Sequence, residues 1–307
     1  MDQFSSHPLC RKHNIDSAMN SLWAFYKARF LSLFIISLVM SLVIQYASTM
    51  VNFKDFASIT DPMVMLGKIK SFLVPILIIS LINLLFAAIL QYYIIYHPVN
   101  NENNILISAL RSAKYFIPYL ILIVLLTFAG SVATVLGLLA FIVGAFFVLL
   151  YVMTLFLFIL PVMMVENSNI GNTISRVFKL VHKNFWGNIG WVAVFIIILI
   201  VISVIFSAII LLPFTGDFLK TITNPQEGVN LMENTTKPLF VILSAVVSAL
   251  TLPLMPIFSC ILYFNARAGE EQDLIVTQAN PDNGRVRVED LYAKPYSDDH
   301  PDNPENK

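Results

Sequence analysis

One uncharged stretch limits the folds open to this chain more than any other feature. Residues 116–165 are fifty consecutive residues without a formal charge. A helix rises about 1.5 Å per residue, so this stretch is far too long to cross a ~30 Å hydrocarbon core once. We therefore predict that it contains two membrane-spanning helices joined by a tight turn.

Other apolar segments of spanning length lie on both sides of this stretch. The chain is 57% hydrophobic and 12% charged, whereas a soluble domain averages about 25% charged residues. The fold class predicted is therefore an all-α polytopic integral membrane protein with six spans. The six predicted spans are about residues 30–50, 72–96, 116–136, 139–165, 188–214 and 238–264.

The chain divides into three parts by composition. Residues 1–13 are predicted to be a flexible N-terminus and residues 14–264 a six-span membrane domain. Residues 265–307 are rich in Asp, Glu, Asn and Pro, a composition that buries too little apolar surface to fold alone. We predict that this last part is a disordered cytoplasmic tail.

A short basic segment precedes each pair of spans. The three segments are "NIDSAMNSLWAFYKARF" from Asn14, "NILISALRSAKYF" from Asn104 and "NIGNTISRVFKLVHKNF" from Asn169. Each begins with Asn, a favoured helix N-cap because its side chain accepts an unpaired backbone N–H. At about 100° per residue, Ile174 and Phe178 share an apolar arc opposite the basic side chains, and we expect this arc to face inward. We predict three hairpins, each preceded by an amphipathic interfacial helix, with a weaker apolar stripe in the middle one.

The positions of Lys and Arg predict the orientation, because basic residues near the ends of spans remain in the cytoplasm. One side carries ten such residues and the other carries five. The ten are Arg11, Lys12, Lys27, Arg29, Arg111, Lys114, Arg176, Lys179, Lys183 and Arg267. The five are Lys54, Lys68, Lys70, Lys220 and Lys237. We expect both termini in the cytoplasm, and the chain in a bacterial cytoplasmic (inner) membrane.

The basic residues of the second and third segments are the candidate lipid-binding or partner-binding site. If the segments surround one cytoplasmic face, their charges converge at the level of the lipid headgroups, where each basic residue gains about 1 kcal/mol from anionic lipid. The alternative is that these helices only pack against the bundle and anchor it. The candidate residues are Arg111, Lys114, Arg176, Lys179 and Lys183.

Neutral polar residues inside the spans define a second candidate site. Asn83 and Gln91 lie two turns apart in the second span and are candidates to line a cavity, although contact between helices is an alternative use for such amides. The interiors of the spans contain no Asp, Glu, Lys, Arg or His, which argues against a proton-coupled pump. Pro253 and Pro256 should kink the last span.

The sequence contains no recognisable catalytic pattern. It has no His-Glu-x-x-His, no Gly-x-Ser-x-Gly and no phosphate-binding glycine loop. We predict no enzymatic activity, no cofactor and no metal site. The formal net charge is zero, which gives no general attraction to nucleic acid. The partners expected are membrane lipids and, through the tail, another membrane or cytoplasmic protein.

The segment "LPVMMVENSNIGNTISRVFKLVHKNFW" resembles bacterial multi-pass proteins related to the membrane domain of glycerophosphoryl diester phosphodiesterases. The shared pattern is a span ending in Pro161, then Glu166, an amphipathic helix around 174–178 and the aromatic Trp186. The resemblance covers about residues 155–214 and implies the membrane module without its separate soluble hydrolase. The predicted function is a non-enzymatic module that organises lipid or partner proteins through a basic cytoplasmic face. The alternative is a carrier or channel for a neutral or lipid-like solute.

Overall fold

Helices make up the fold throughout the part of the chain that the structure describes. This computed structural model describes residue 4 and residues 6–51, 62–100, 102–139, 141–215 and 237–279, and no strand lies in these ranges. The helices are α1 (Ile15–Ala28), α2 (Phe30–Ser48), α3 (Pro62–Tyr96), α4 (Ile105–Leu139), α5 (Phe141–Val165), α6 (Ile170–Lys183), α7 (Phe185–Leu211), α8 (Pro238–Thr251) and α9 (Leu254–Ala279).

Six helical segments are long and apolar enough to cross a membrane. They are Phe30–Ser48, Phe72–Tyr96, Ile105–Leu139, Phe141–Val165, Phe185–Ile210 and Pro238–Glu270. Many of their large apolar side chains are exposed on the protein surface, as expected where the surrounding solvent is lipid. The predicted all-α architecture with six membrane-spanning helices is confirmed.

The three predicted Asn caps are all formed. The side-chain Oδ1 of each Asn accepts the backbone N–H three residues later, at 2.8 Å for Asn14, 3.0 Å for Asn104 and 2.9 Å for Asn169. In the first and third units the chain bends after the amphipathic helix, at Arg29 and at Asn184, where the backbone leaves the helical conformation. These two positions are 155 residues apart, the same spacing as the two caps.

The middle unit differs from the other two. Helix α4 runs without interruption from Ile105 to Leu139 through Pro118, so the basic segment and the following span form one helix. No residue between Ile105 and Leu139 leaves the helical conformation in the way that Arg29 and Asn184 do, so no such bend separates the two parts. A separate interfacial helix therefore exists in the first and third units only.

The last span is interrupted where the prolines predicted a distortion. Helix α8 ends at Thr251, and α9 begins at Leu254 after a turn at Leu252 and Pro253. Proline has no N–H to donate to the preceding turn and its ring displaces the carbonyl there, which ends the regular helix. The predicted kink is confirmed as a break between two helices.

The turn between α4 and α5 is tighter and later than predicted. The predicted spans place it at residues 137–138, but α4 continues to Leu139 and α5 begins at Phe141. A Cβ on Gly137 would lie 3.1 Å from the Ala145 backbone. The missing side chain therefore lets the two helices approach closely beside the turn, and both helices extend almost to it.

The buried core lies at one end of the bundle, which we call the lead-in end because it carries α1, α6 and the start of α4. Helix α5 is central there and packs against α3, α4, α6, α7 and α9. Residues 154–164 of α5 are buried almost without exception, as are residues 256–264 of α9. Towards the opposite end, the spans expose most of their large side chains.

The N-terminal segment is part of this core, so the prediction of a flexible residue 1–13 segment is wrong for the residues described. Leu9 is 1% exposed and His7 is 3% exposed. The His7 ring nitrogen Nε2 lies 3.1 Å from the Ile94 carbonyl oxygen, and Phe4 contacts the Tyr96 ring edge-on. Aromatic packing and this hydrogen bond hold the segment against the end of α3.

The start of the predicted disordered tail is also corrected. Helix α9 continues through residue 265 to Ala279. Hydrogen bonds of Asn265 with His13 and of Glu270 with Arg176 hold this part of the helix against the rest of the protein. Residues 280–307 lie outside the described residues, as do residues 52–61 and 216–236.

Candidate functional site

Helix α6 has the predicted amphipathic character, but its buried face is rotated. Thr173, Val177, Leu180 and Val181 are buried, whereas the predicted inward residues Ile174 and Phe178 are 37% and 44% exposed. The difference arises because α6 packs mainly on α5, which selects one side of the broad apolar arc. The other half of that arc is left exposed on the protein surface.

An apolar groove of about 160 Å³ lies beside this exposed half. Helices α4, α5 and α6 form its walls, with Leu125, Ile159, Ile174 and Phe178 among the lining side chains. Exposed apolar residues on an interfacial helix insert into the boundary between headgroups and acyl chains. The groove therefore gives α6 a surface suited to hydrocarbon, next to its basic face.

Arg176 is bonded inside the protein and does not face outward with the other candidate cations. Its Nε lies 3.0 Å from both carboxylate oxygens of Glu166, and its two terminal nitrogens bind the carboxylate of Glu270, with Nη1 at 2.8 Å. Charge-assisted pairs of this kind are among the stronger hydrogen bonds in proteins. The bonds to Glu270 and Glu166 raise the pKa of Arg176 above its usual value.

Two further side chains complete this charge cluster. Glu166 also accepts hydrogen bonds from the Tyr263 hydroxyl at 3.0 Å and from Arg267 Nη1 at 3.1 Å. Two arginines thus balance two glutamates, so the cluster has no net charge. It joins α6 and the preceding loop to α9, and the prediction that Arg176 belongs to an outward basic patch is wrong.

The four other candidate cations are exposed. Arg111 donates to Asn103 Oδ1 at 2.9 Å and Lys114 donates to Asn167 Oδ1 at 3.2 Å; both acceptors are neutral, so the charges of these two residues persist. Lys179 and Lys183 are exposed on α6. The bond from Lys114 to the loop before α6 brings the start of α4 next to the third unit. Binding of lipid or a partner by these residues stays a prediction.

The proposed Asn83–Gln91 cavity is not formed. Asn83 is exposed and donates to the Ile79 carbonyl of its own helix at 3.0 Å. Gln91 is buried and donates to the Pro256 carbonyl at 3.3 Å and to Cys260 Sγ at 3.0 Å. The small cavity beside Gln91 has a volume of about 40 Å³ and does not include Asn83. The Gln91 amide therefore joins α3 to α9, which is the helix-contact alternative.

Sequence reasoning missed the residues that α9 contributes. Tyr263, Arg267 and Glu270 lie on one face of α9, at spacings of four and three residues, and such residues are neighbours on a helix. This periodicity was a signal that the last helix continues beyond 264. Nothing local to Arg176 or Glu166 indicates that their partners lie about 100 residues away.

More than half of the chain matches a known family. The model of the "membrane domain of glycerophosphoryl diester phosphodiesterase" matches residues 127–289, which include α5, α6, α7, α8, α9 and the Glu166–Arg176–Glu270 cluster. Searches of curated proteins and of solved structures returned no significant match. The chain belongs to the family of the membrane domain of glycerophosphoryl diester phosphodiesterase.

Proposed function

We propose that the protein is a non-enzymatic membrane module that binds and organises anionic lipid at its lead-in end. The observation that carries this proposal is the surface of α6, on which Lys179 and Lys183 as well as the apolar Ile174 and Phe178 are exposed. Cations next to apolar side chains suit the boundary between anionic headgroups and acyl chains. The two lysines keep this surface basic, because Arg176 and Arg267 already balance the charges of Glu166 and Glu270.

Lys114 and Arg111 extend the basic surface onto α4. Both are exposed and hydrogen-bonded only to amide oxygens among the residues described. In the proposed orientation, this end of the bundle faces the cytoplasm. There it would meet the anionic leaflet, whose attraction is about 1 kcal/mol for each basic residue near the surface.

The test compares lipids at the protein boundary after reconstitution. Spin-labelled phosphatidylglycerol and phosphatidylcholine would be measured by electron paramagnetic resonance, which separates protein-bound from free lipid. We expect a preference for phosphatidylglycerol that falls several-fold in the variant Lys179→Glu with Lys183→Glu. The difference should disappear near 1 M salt, where the Debye length is about 3 Å.

The matched control is Lys179→Arg with Lys183→Arg, which keeps both charges and should keep the preference. An equal preference in the Glu and Arg variants, with both proteins folded, would show that α6 only packs and anchors. A preference that persists unchanged at high salt would also contradict the proposal, because attraction between exposed charges is screened.

A second candidate function is a carrier for a lipid-like solute. A wide cleft of about 670 Å³ lies between α5, α7 and α9, with apolar walls that include Ile200 and Met255 and the hydroxyls of Ser203 and Ser207. Transfer of fluorescent lipid between leaflets, followed by dithionite quenching, tests this alternative. Transfer above the protein-free rate that Ser203→Trp reduces would favour the carrier.

A further inference from the structure

A polar cavity lies at the lead-in end, behind the exposed face of α6. Its volume is about 240 Å³, and it is bounded by the N-terminal segment, the junction between α6 and α7, and α9. Trp191 is one of its lining residues, and tryptophan is enriched at membrane–water interfaces. The volume is below the ~300–1,000 Å³ of sites for drug-sized ligands, so a small headgroup suits it better than a whole lipid.

The charged residues of the cavity are basic. Lys12 and Lys183 both line it, and no carboxylate is among its lining residues. The nearby Glu270, on which Lys183 acts electrostatically, is already bound by Arg176. Two lysines reach the cavity from different elements, which is an arrangement that favours an anion.

The side-chain amides of Asn184 and Asn265 carry N–H donors that have no acceptor among the residues described. Asn265 Oδ1 accepts the His13 backbone N–H at 2.8 Å, which fixes the orientation of this amide and leaves its NH₂ group as a donor. The Asn184 side chain makes no capping bond, and it lies over Gly187, where a Cβ would clash with it. These amides can donate to oxygens of a ligand.

An unpaired ring nitrogen of His13 also points to a ligand. His13 is 7% exposed, it lines the cavity, and its Nε2 is buried without a hydrogen-bond partner among the described residues. A buried polar atom without a partner costs about 1–3 kcal/mol, so such atoms are uncommon in proteins. By contrast, Asn188 uses its amide nitrogen to bind the Leu180 and Val181 carbonyls and serves as a wall.

We propose that this cavity binds the phosphate group of an anionic phospholipid, with Lys12 and Lys183 supplying charge and Asn184, Asn265 and His13 supplying hydrogen bonds. The proposal rests on the proposed function for the source of its ligand, the anionic leaflet, and it adds a defined site with one lipid per chain. A phosphate offers several strong acceptor oxygens, which match donors that converge from three elements.

The test measures saturable binding to delipidated protein in a neutral detergent. Dioctanoyl phosphatidylglycerol would be titrated by native mass spectrometry and isothermal titration calorimetry, and inorganic phosphate would be titrated separately. We expect one site per chain. The variant Lys12→Gln with Lys183→Gln should weaken binding at least tenfold.

The matched control is Lys114→Gln with Lys179→Gln, which removes the same charge from residues outside the cavity. It should change the affinity of the one saturable site less than twofold, while it lowers the preference for phosphatidylglycerol at the protein boundary, because both residues belong to the basic surface of the proposed function. An equal loss in both variants would overturn the cavity while leaving the basic surface of the proposed function. Saturable binding with no salt-dependent lipid preference at the protein boundary would overturn the basic surface of the proposed function while leaving the cavity.

The histidine ring gives a readout that does not depend on lysine variants. Burial and the charge of Arg11 lower the pKa of His13, so its ring is neutral at pH 7. A bound phosphate stabilises the charged form and should raise this pKa, visible as a change in the imidazole ¹⁵N shifts. An equal shift with inorganic phosphate alone would identify a free-phosphate site, and a shift with lipid only a headgroup site.

Two results would overturn the proposal outright. One is the absence of saturable binding and of any His13 shift with either probe. The other is equally tight binding of a phosphate-free acidic peptide, which would identify the cavity as the site of an acidic partner segment. The variant Gly187→Ala, which displaces the Asn184 side chain, should weaken binding without changing the charge.

Discussion

Arg176 offers the sharpest test of how the lead-in end is held together. The variant Arg176→Met keeps the length of the side chain but removes its charge and its donors. Four N–H···O contacts to Glu166 and Glu270 are lost, and the cluster changes from neutral to a net charge of −1.

The expected magnitude follows from the burial of the cluster. The Arg176 side chain is 20% exposed, and the two glutamates are 19% and 15% exposed. Breaking a fully buried pair costs about 3–5 kcal/mol because a charge is left uncompensated. Partial exposure lowers the expected loss to about 2–3 kcal/mol, or roughly 30- to 150-fold in the unfolding equilibrium.

The assay is unfolding in mixed micelles at increasing mole fraction of dodecyl sulfate, followed by tryptophan fluorescence. Lys179→Met is the matched control, since Lys179 is exposed and lies one turn from Arg176 on the same helix. Combining Arg176→Met with Glu270→Gln should cost about 1–3 kcal/mol less than the sum of the single changes.

A result in which Arg176→Met and Lys179→Met agree within about 0.5 kcal/mol would refute this reasoning. Arg176 would then contribute no more than an exposed surface cation. Arg176 would then again be a candidate for binding lipid.

Two more predictions concern the N-terminal segment and the orientation. Burial lowers the pKa of His7 from 6.5 to about 4. His7 therefore binds a proton more tightly when the segment is detached than when it is packed. The free energy that holds the segment in place should fall by about 3 kcal/mol as the pH falls from about 6.5 to 4. Hydrogen exchange of the segment, compared with that of His7→Gln at each pH, measures this, and equal profiles would contradict it. Impermeant thiol reagents should label Ser58→Cys and Thr223→Cys in intact cells. Labelling of Ser297→Cys from outside would contradict the predicted orientation.

The sequence by itself determined the number of spans and the residues at which three of the helices begin. Both depend on local properties: hydrocarbon thickness sets the length of an apolar helix, and an Asn side chain caps the helix that begins beside it. For this reason the caps at Asn14, Asn104 and Asn169 and the break near Pro253 were predictable without any knowledge of packing.

Only the tertiary structure decided which polar side chains meet. The Arg176 side chain binds Glu270 across 94 residues, and the Asn265 side chain accepts the backbone N–H of His13 across 252 residues. The same packing turned Phe178 outward, since α5 contacts only one side of a broad apolar arc. Helical periodicity tells which residues share a face, but the partner of that face depends on how separate helices pack, and this information is spread over the whole chain.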